Sequence, residues 1–216
     1  MSRIYSSPIT TSPPLPRQSI FTYLFPSPSG PSSYPTRDPD APLFIDGLTD
    51  RTLSNRDVES GARRLATGLR RLGMKRGDVA CVFGYNSLEW LNAVYGCLAA
   101  GVVVSTVNYG YTPPEVLHQL KDARVKMCFA SPELYPVLIK ALELEKSVKI
   151  GVERIVLLCE KGVEKPDVSG LRCIEEIWGD EEGEVERFED GDENETAFVC
   201  YSSGTVSVSF DRDRGG

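Results

Sequence analysis

The residues whose types and spacing are best suited to chemistry stand near the carboxyl terminus. There Ser202, Ser203, Gly204 and Thr205 follow the apolar stretch 197–201. A glycine lets backbone N–H groups converge, and hydroxyls on either side add donors, so such a turn can grip a phosphate and help order a magnesium ion. The same four residue types also make ordinary turns. The rest of the chain offers little competing chemistry. Its single histidine, His118, sits in the polar stretch "LHQLKDAR" and reads as a surface helix residue, so no zinc constellation can be assembled. The six cysteines, Cys81, Cys97, Cys128, Cys159, Cys173 and Cys200, are scattered singly through apolar segments and read as buried, reduced thiols.

A loop of this kind needs a strand to deliver it, and the preceding sequence supplies strands at regular intervals. Ser54 followed by Asp57 is an amino-terminal capping pattern. It opens a helix with Val58, Ala62, Leu65, Ala66, Leu69 and Leu72 on one face and Gly73 as its stop. "DVACVF" reads as a buried strand, and Ser87 opens the apolar helix "LEWLNAVYGCLAAG". "VVVST" is the next strand, and Thr112-Pro113-Pro114-Glu115 announces a helix by hydroxyl cap, proline and acid. "VKMCFA" follows, and then Ser131-Pro132-Glu133 is expected to cap "ELYPVLIKALELE", with Pro136 shortening or kinking its first turns. "RIVLLC" and a strand over about 196–201 complete the series. Short apolar strands alternating with helices predict an α/β fold, a doubly wound and mostly parallel sheet covered on both faces.

Composition narrows the function classes. Ten of the fifteen prolines lie in the first 42 residues, which predicts a Pro/Ser-rich extended arm over 1–42 with a short docked helix at "SIFTYLF". No stretch reaches the roughly 18 apolar residues of a membrane span, and no secretory signal is apparent, so a cytoplasmic location is expected. Between Glu175 and Glu195 there are twelve carboxylates and one arginine, a local charge of −11. Subtracted from the chain's −7, this leaves the remainder at +4. The acidic run reads as a solvated excursion between two elements, the alternative being a docking tail. No basic stripe suggests nucleic acid. Neither a Gly-x-Gly-x-x-Gly turn nor a Gly-x-x-x-x-Gly-Lys loop is present, which argues against a nicotinamide or flavin domain and against the usual nucleoside triphosphatase loop.

Four collinear stretches carry a more specific signal: "FIDGLTDRTLSNRDV", "LATGLRRLGMKRGDVACVFGYNSLEW", "VYGCLAAGVVVSTVNYGYTPPEVLHQLKDARVKMCF" and "DENETAFVCYSSGT". In that order they resemble the adenylate-forming acyl-CoA synthetases, and more closely a fungal branch similar to 4-coumarate-CoA ligase, whose arm "SIFTYLFPSPS" also resembles. The resemblance implies the incomplete amino-terminal part of the large domain of such an enzyme. A partial AMP-binding domain is thus expected over 43–205 and a non-family tail over 206–216. It also implies ATP, Mg2+ and coenzyme A as cofactors of the full-length family, with a small aromatic or fatty carboxylic acid as substrate. For a full-length form it leaves a peroxisomal location open, although the chain shows no carboxyl-terminal targeting tripeptide.

The family's loop reads Tyr/Phe-Ser/Thr-Ser-Gly-Thr-Thr/Ser-Gly-x-Pro-Lys-Gly. Tyr201, Ser202, Ser203, Gly204 and Thr205 match it. Val206 then stands where a second hydroxyl belongs, Ser207 replaces glycine, Ser209 replaces proline and Phe210 replaces lysine. The resemblance therefore implies a partial ATP phosphate loop at 202–205, no catalytic residue and no metal ligand within this chain, and a ligase truncated in its phosphate loop and inactive alone. The alternative is a non-catalytic truncated paralogue or a mis-spliced fragment with a binding role at most. Val206-Ser207 can be spelled as an intron start, at the residue where the pattern breaks. A free-standing flavodoxin-like binding domain is a third reading, and it lacks a completed cofactor loop.

Overall fold

The computed structural model describes residues 18–26, 38–160, 162–188 and 194–201. Its centre is a six-stranded sheet with every neighbouring pair parallel. The strands are β3 (Val79–Phe83), β4 (Val103–Val107), β5 (Val125–Ala130), β6 (Ile155–Leu157), β7 (Arg172–Cys173) and β8 (Phe198–Val199). Their spatial order is β7-β6-β5-β3-β4-β8. Two further strands, β1 (Pro42–Ile45) and β2 (Thr52–Ser54), form a separate antiparallel hairpin.

Strand periodicity divides the core into two layers. Ala80 and Val82 of β3, with Val104, Met127, Phe129 and Val156, face one side. Helices α2 (Asn55–Arg71) and α3 (Leu88–Ala99) cover that side, and the short α1 (Ile20–Leu24) seats Phe21 there. Cys81 and Phe83, with Cys128, Ala130, Ile155 and Leu157, face the other side, beneath α4 (Pro113–Asp122) and α5 (Tyr135–Leu144). The sheet is doubly wound, as the alternation predicts.

The caps are made as the sequence implies. Ser54 Oγ accepts from the Asp57 N–H and the Asp57 carboxylate returns a bond to the Ser54 N–H. Thr112 and Glu115 form the same reciprocal box at α4. Gly73 and Gly101 follow α2 and α3 in the left-handed region, at φ 77° and 69°, where a glycine ends a helix without steric cost. Ser131 departs from expectation. It makes no side-chain cap; its Oγ accepts from the Tyr85 N–H instead, a short 3-10 turn follows, and α5 begins only where Pro136 can occupy its first turn.

One other expectation is corrected. Cys159 and Cys173 are joined in a disulfide, so they are not free thiols. Parallel pairing of β6 with β7 sets Leu157 opposite Cys173 and brings the two cysteine Cα atoms to 5.4 Å, within bridging range. Cys200 is exposed, while Cys81, Cys97 and Cys128 are buried. The acidic run is a surface excursion, as expected, with Asp180, Glu181, Glu182 and Glu184 exposed, but its described backbone is docked on the helices. It lies as a strap along α2: Gly179 N–H donates to Arg64 O at 2.8 Å, Gly183 N–H to Arg63 O at 3.3 Å, and Glu186 N–H to Ala99 O at 2.8 Å. Arg70 donates to Glu184 O at 2.7 Å, and Arg71 pairs with Asp180.

Candidate functional site

After residues 194–197 the chain enters β8. This strand has two residues and, among the described residues, pairs on one side, with Val104 opposite Phe198 and Ser105 opposite Val199. Just ahead of it, Val104 N–H donates to Ala197 O at 2.9 Å. Because β8 runs parallel to the other strands, its exit through Cys200 and Tyr201 points toward the end where parallel α/β sheets bind ligands. The sequence-derived candidates Ser202, Ser203, Gly204 and Thr205 lie immediately beyond, outside the described residues, as do Val206 and Phe210.

The described residues show how the approach to that loop is fixed. At its exit the Tyr201 phenol donates to Asp122 Oδ2 at 2.5 Å. Burial, and then the hydrogen bond and charge of Asp122, push the phenol up to about 12. Asp122 is the last residue of α4. One turn earlier, buried Gln119 donates through Nε2 to Ser105 Oγ and to Thr106 O, each at 2.9 Å, which ties α4 to β4. At the entry to β8, Arg76 grips Glu195 with two donors, Nε to Oε2 at 2.9 Å and Nη2 to Oε1. The same guanidinium lies 4.4 Å from the Phe188 ring centroid.

Around the carboxyl ends of the strands the rim is partly closed. The winding direction reverses between β3 and β5, the position where such sheets usually open a crevice. Here Ser131 Oγ accepts the Tyr85 N–H at 3.0 Å, and a Cβ at Gly84 would stand 2.6 Å from Leu158 Cδ1, so that crevice is filled by protein. Beside it, Tyr85 after β3 and Tyr109 after β4 stack at 5.2 Å and stay exposed, at 44% and 59%. Arg51 joins the buried Glu89 of α3 at 2.9 Å and also pairs with Glu160, pinning the β1–β2 hairpin. The β4–β8 side is where the sequence places its loop.

His118 is exposed on α4, in keeping with a surface role. Among the described residues no group of three or more His, Cys, Asp or Glu side chains could hold a metal ion. Nor is any described helix long and apolar enough to cross a membrane. Sequence reasoning missed Arg76, Asp122 and Glu195. Their partners are 119 and 79 residues away along the chain, and no local pattern marks them.

The family pattern described as AMP-binding enzyme matches residues 33–208. The phenylacetyl-CoA ligase epaB of Aspergillus niger is 30% identical over 172 residues, which cover 78% of this chain and 31% of that protein. The 4-coumarate–CoA ligase 4 of Arabidopsis thaliana is 28% identical over 79% of this chain and 29% of its own length. Among solved structures, the anthranilate CoA ligase AuaEII in complex with anthranoyl-AMP superposes with a TM-score of 0.67 at 20% identity. It covers 89% of this chain and 34% of that one. A red-emitting luciferase from Phrixothrix hirtus gives 0.62, also at 20% identity, over 75% and 38%. The chain spans about a third of the length of these curated relatives. With a match that runs over most of its length, the chain belongs to the AMP-binding enzyme family.

Proposed function

We propose that the chain is the phosphate-loop-bearing amino-terminal part of an ATP-dependent acid–CoA ligase, and that it is inactive without the remaining two thirds. The observation that carries this reading is the collinear family match running to residue 208, through the loop at the exit of β8. In the whole enzyme ATP activates the acid: a carboxylate oxygen attacks the α-phosphorus and pyrophosphate leaves, after which the coenzyme A thiol takes the acyl group and AMP leaves. The share of this chain is to hold phosphate. Ser202, Ser203 and Thr205 would donate hydroxyl hydrogen bonds to phosphate oxygens, and Gly204 would let backbone N–H groups converge on them.

That donor set suits a phosphate, but the residues after it do not complete the family's grip. Phe210 in the lysine position removes a positive charge, and Val206 replaces a donor with a β-branched hydrocarbon. One preorganised donor aimed at transition-state charge is worth roughly 10²–10³ in rate. On this reading 1–42 is an arm, 43–205 a partial AMP-binding domain and 206–216 a tail outside the family pattern. ATP–pyrophosphate exchange, run with a panel of aromatic and fatty acids, should stay at the no-enzyme rate for the 216-residue chain. Exchange above that rate would overturn the requirement for the missing part.

A further inference from the structure

β8 is too short to aim a phosphate loop by its ladder alone. Among the described residues it has two register pairs on a single side, against a usual strand length of about five or six residues. Gripping a phosphate needs backbone N–H groups held in direction, and displacements of about 1 Å are costly. Something other than the ladder must fix the strand.

We infer that Arg76 and Asp122 are positioning residues for the phosphate loop, the first fixing the entry of β8 through Glu195 and the second fixing its exit through Tyr201. This rests on the phosphate-loop reading of 202–205. Each tie has a geometry that constrains direction as well as distance. Arg76 engages both carboxylate oxygens of Glu195 with a planar fork, which sets an angle that a single ammonium donor cannot. The fork is itself held: Nη1 donates to Arg187 O at 3.3 Å and the guanidinium stacks on Phe188.

The exit tie closes a triangle. Tyr201, one residue before the loop, donates to Asp122. Asp122 belongs to α4, and α4 is anchored through Gln119 to Ser105 and Thr106 of β4. β4 is also the strand that β8 pairs with, Val199 lying opposite Ser105. The end of β8 is thus referred back to its own neighbour by a second route. Exposed ion pairs contribute only about 0–1 kcal/mol to global stability. The effect to look for is therefore local order in β8 and not the melting of the fold.

Amide hydrogen exchange on the whole chain reads this directly. Asp122→Asn and Tyr201→Phe should each speed exchange at Phe198, Val199 and Tyr201 by about tenfold, the loss of one charge-assisted hydrogen bond. Amides of Cys81 and Cys128 should be unchanged. The double variant should be no faster than either single one, because both remove the same bond. Arg76→Lys keeps the charge and loses the fork, so it should also quicken β8, while Arg76→Glu combined with Glu195→Arg should restore slow exchange. Rates at β8 within twofold of the unmodified chain in the single variants, or equal acceleration in the central strands, would overturn the inference. ATP binding by the unmodified chain, followed by calorimetry, is a separate arm. Its absence would count against the phosphate-loop reading, whereas the exchange pattern alone decides whether these residues hold β8.

Discussion

At the residue scale, Tyr201 links the site to the body of the fold in a way that pH can expose. Its phenol is raised from an ordinary value of 10.0 to about 12, by burial first and by Asp122 second. A group with a raised folded-state value contributes stability that is complete below its unfolded value and is lost as pH climbs through the folded one. The advantage of the native chain over Tyr201→Phe should therefore be constant below about pH 10 and disappear between about 10 and 12. The ultraviolet difference spectrum of the two proteins isolates this phenol from the chain's other tyrosines. A Tyr201 titration near 10, unchanged by Asp122→Asn, would show that the contact is not made. Nothing in the sequence marks this pair. "YSSGT" is read as a loop from local residue types alone, whereas the tether of Tyr201 is a helix-terminal aspartate 79 residues upstream.

Among the elements, legibility follows the range of the interaction. The boxes Ser54–Asp57 and Thr112–Glu115 act within four residues, and the helices they open were readable in advance. "VKMCFA" is observed as β5, residue for residue, because a run apolar but for the exposed Lys126, entered from the left-handed Arg124, leaves the chain few alternatives. Ser131 was misread because its hydroxyl had a distant competitor, the Tyr85 N–H, that sequence does not reveal. For the acidic strap, surface exposure was legible and docking was not, for the same reason. Its carboxylates suggested solvent, yet its backbone is held on α2 by arginines and carbonyls more than 100 residues away. The packing beneath it is tight, since a Cβ at Gly68 would fall 1.8 Å from Ile177 O, a backbone atom that cannot swing aside. Gly68→Ala should cost about 2–3 kcal/mol, as overpacking does. Gly47→Ala, with nothing within 4 Å, should stay within about 0.5 kcal/mol. Denaturant midpoints compare the two, and equal stabilities would mean that the 174–178 turn does not press on α2.

For the whole molecule, the described sheet is built from the centre outward and thins to a two-residue strand at each edge, β7 and β8. Among the described residues, β8 has β4 on one flank and no strand on the other, and Phe198 is 37% exposed. The relatives are about three times as long as the part matched here, so on the proposed reading the remainder of the ligase belongs against this edge. The fold class was legible from strand–helix alternation alone. The expectation about the loop's completeness came only from comparing it, residue by residue, with the family's pattern, and those residues lie outside the described ones. The central claim is that residues up to Thr205 are a working amino-terminal part of a ligase whose deficit lies after the loop threonine. The most direct measurement is ATP–pyrophosphate exchange by a chimera that joins residues 1–205 to the portion of the Aspergillus niger phenylacetyl-CoA ligase following its own matching threonine. The account predicts exchange that depends on an added aromatic acid and vanishes when Ser203 and Thr205 are both changed to alanine. A chimera that melts cooperatively, and so is folded, yet exchanges no faster than buffer would contradict it.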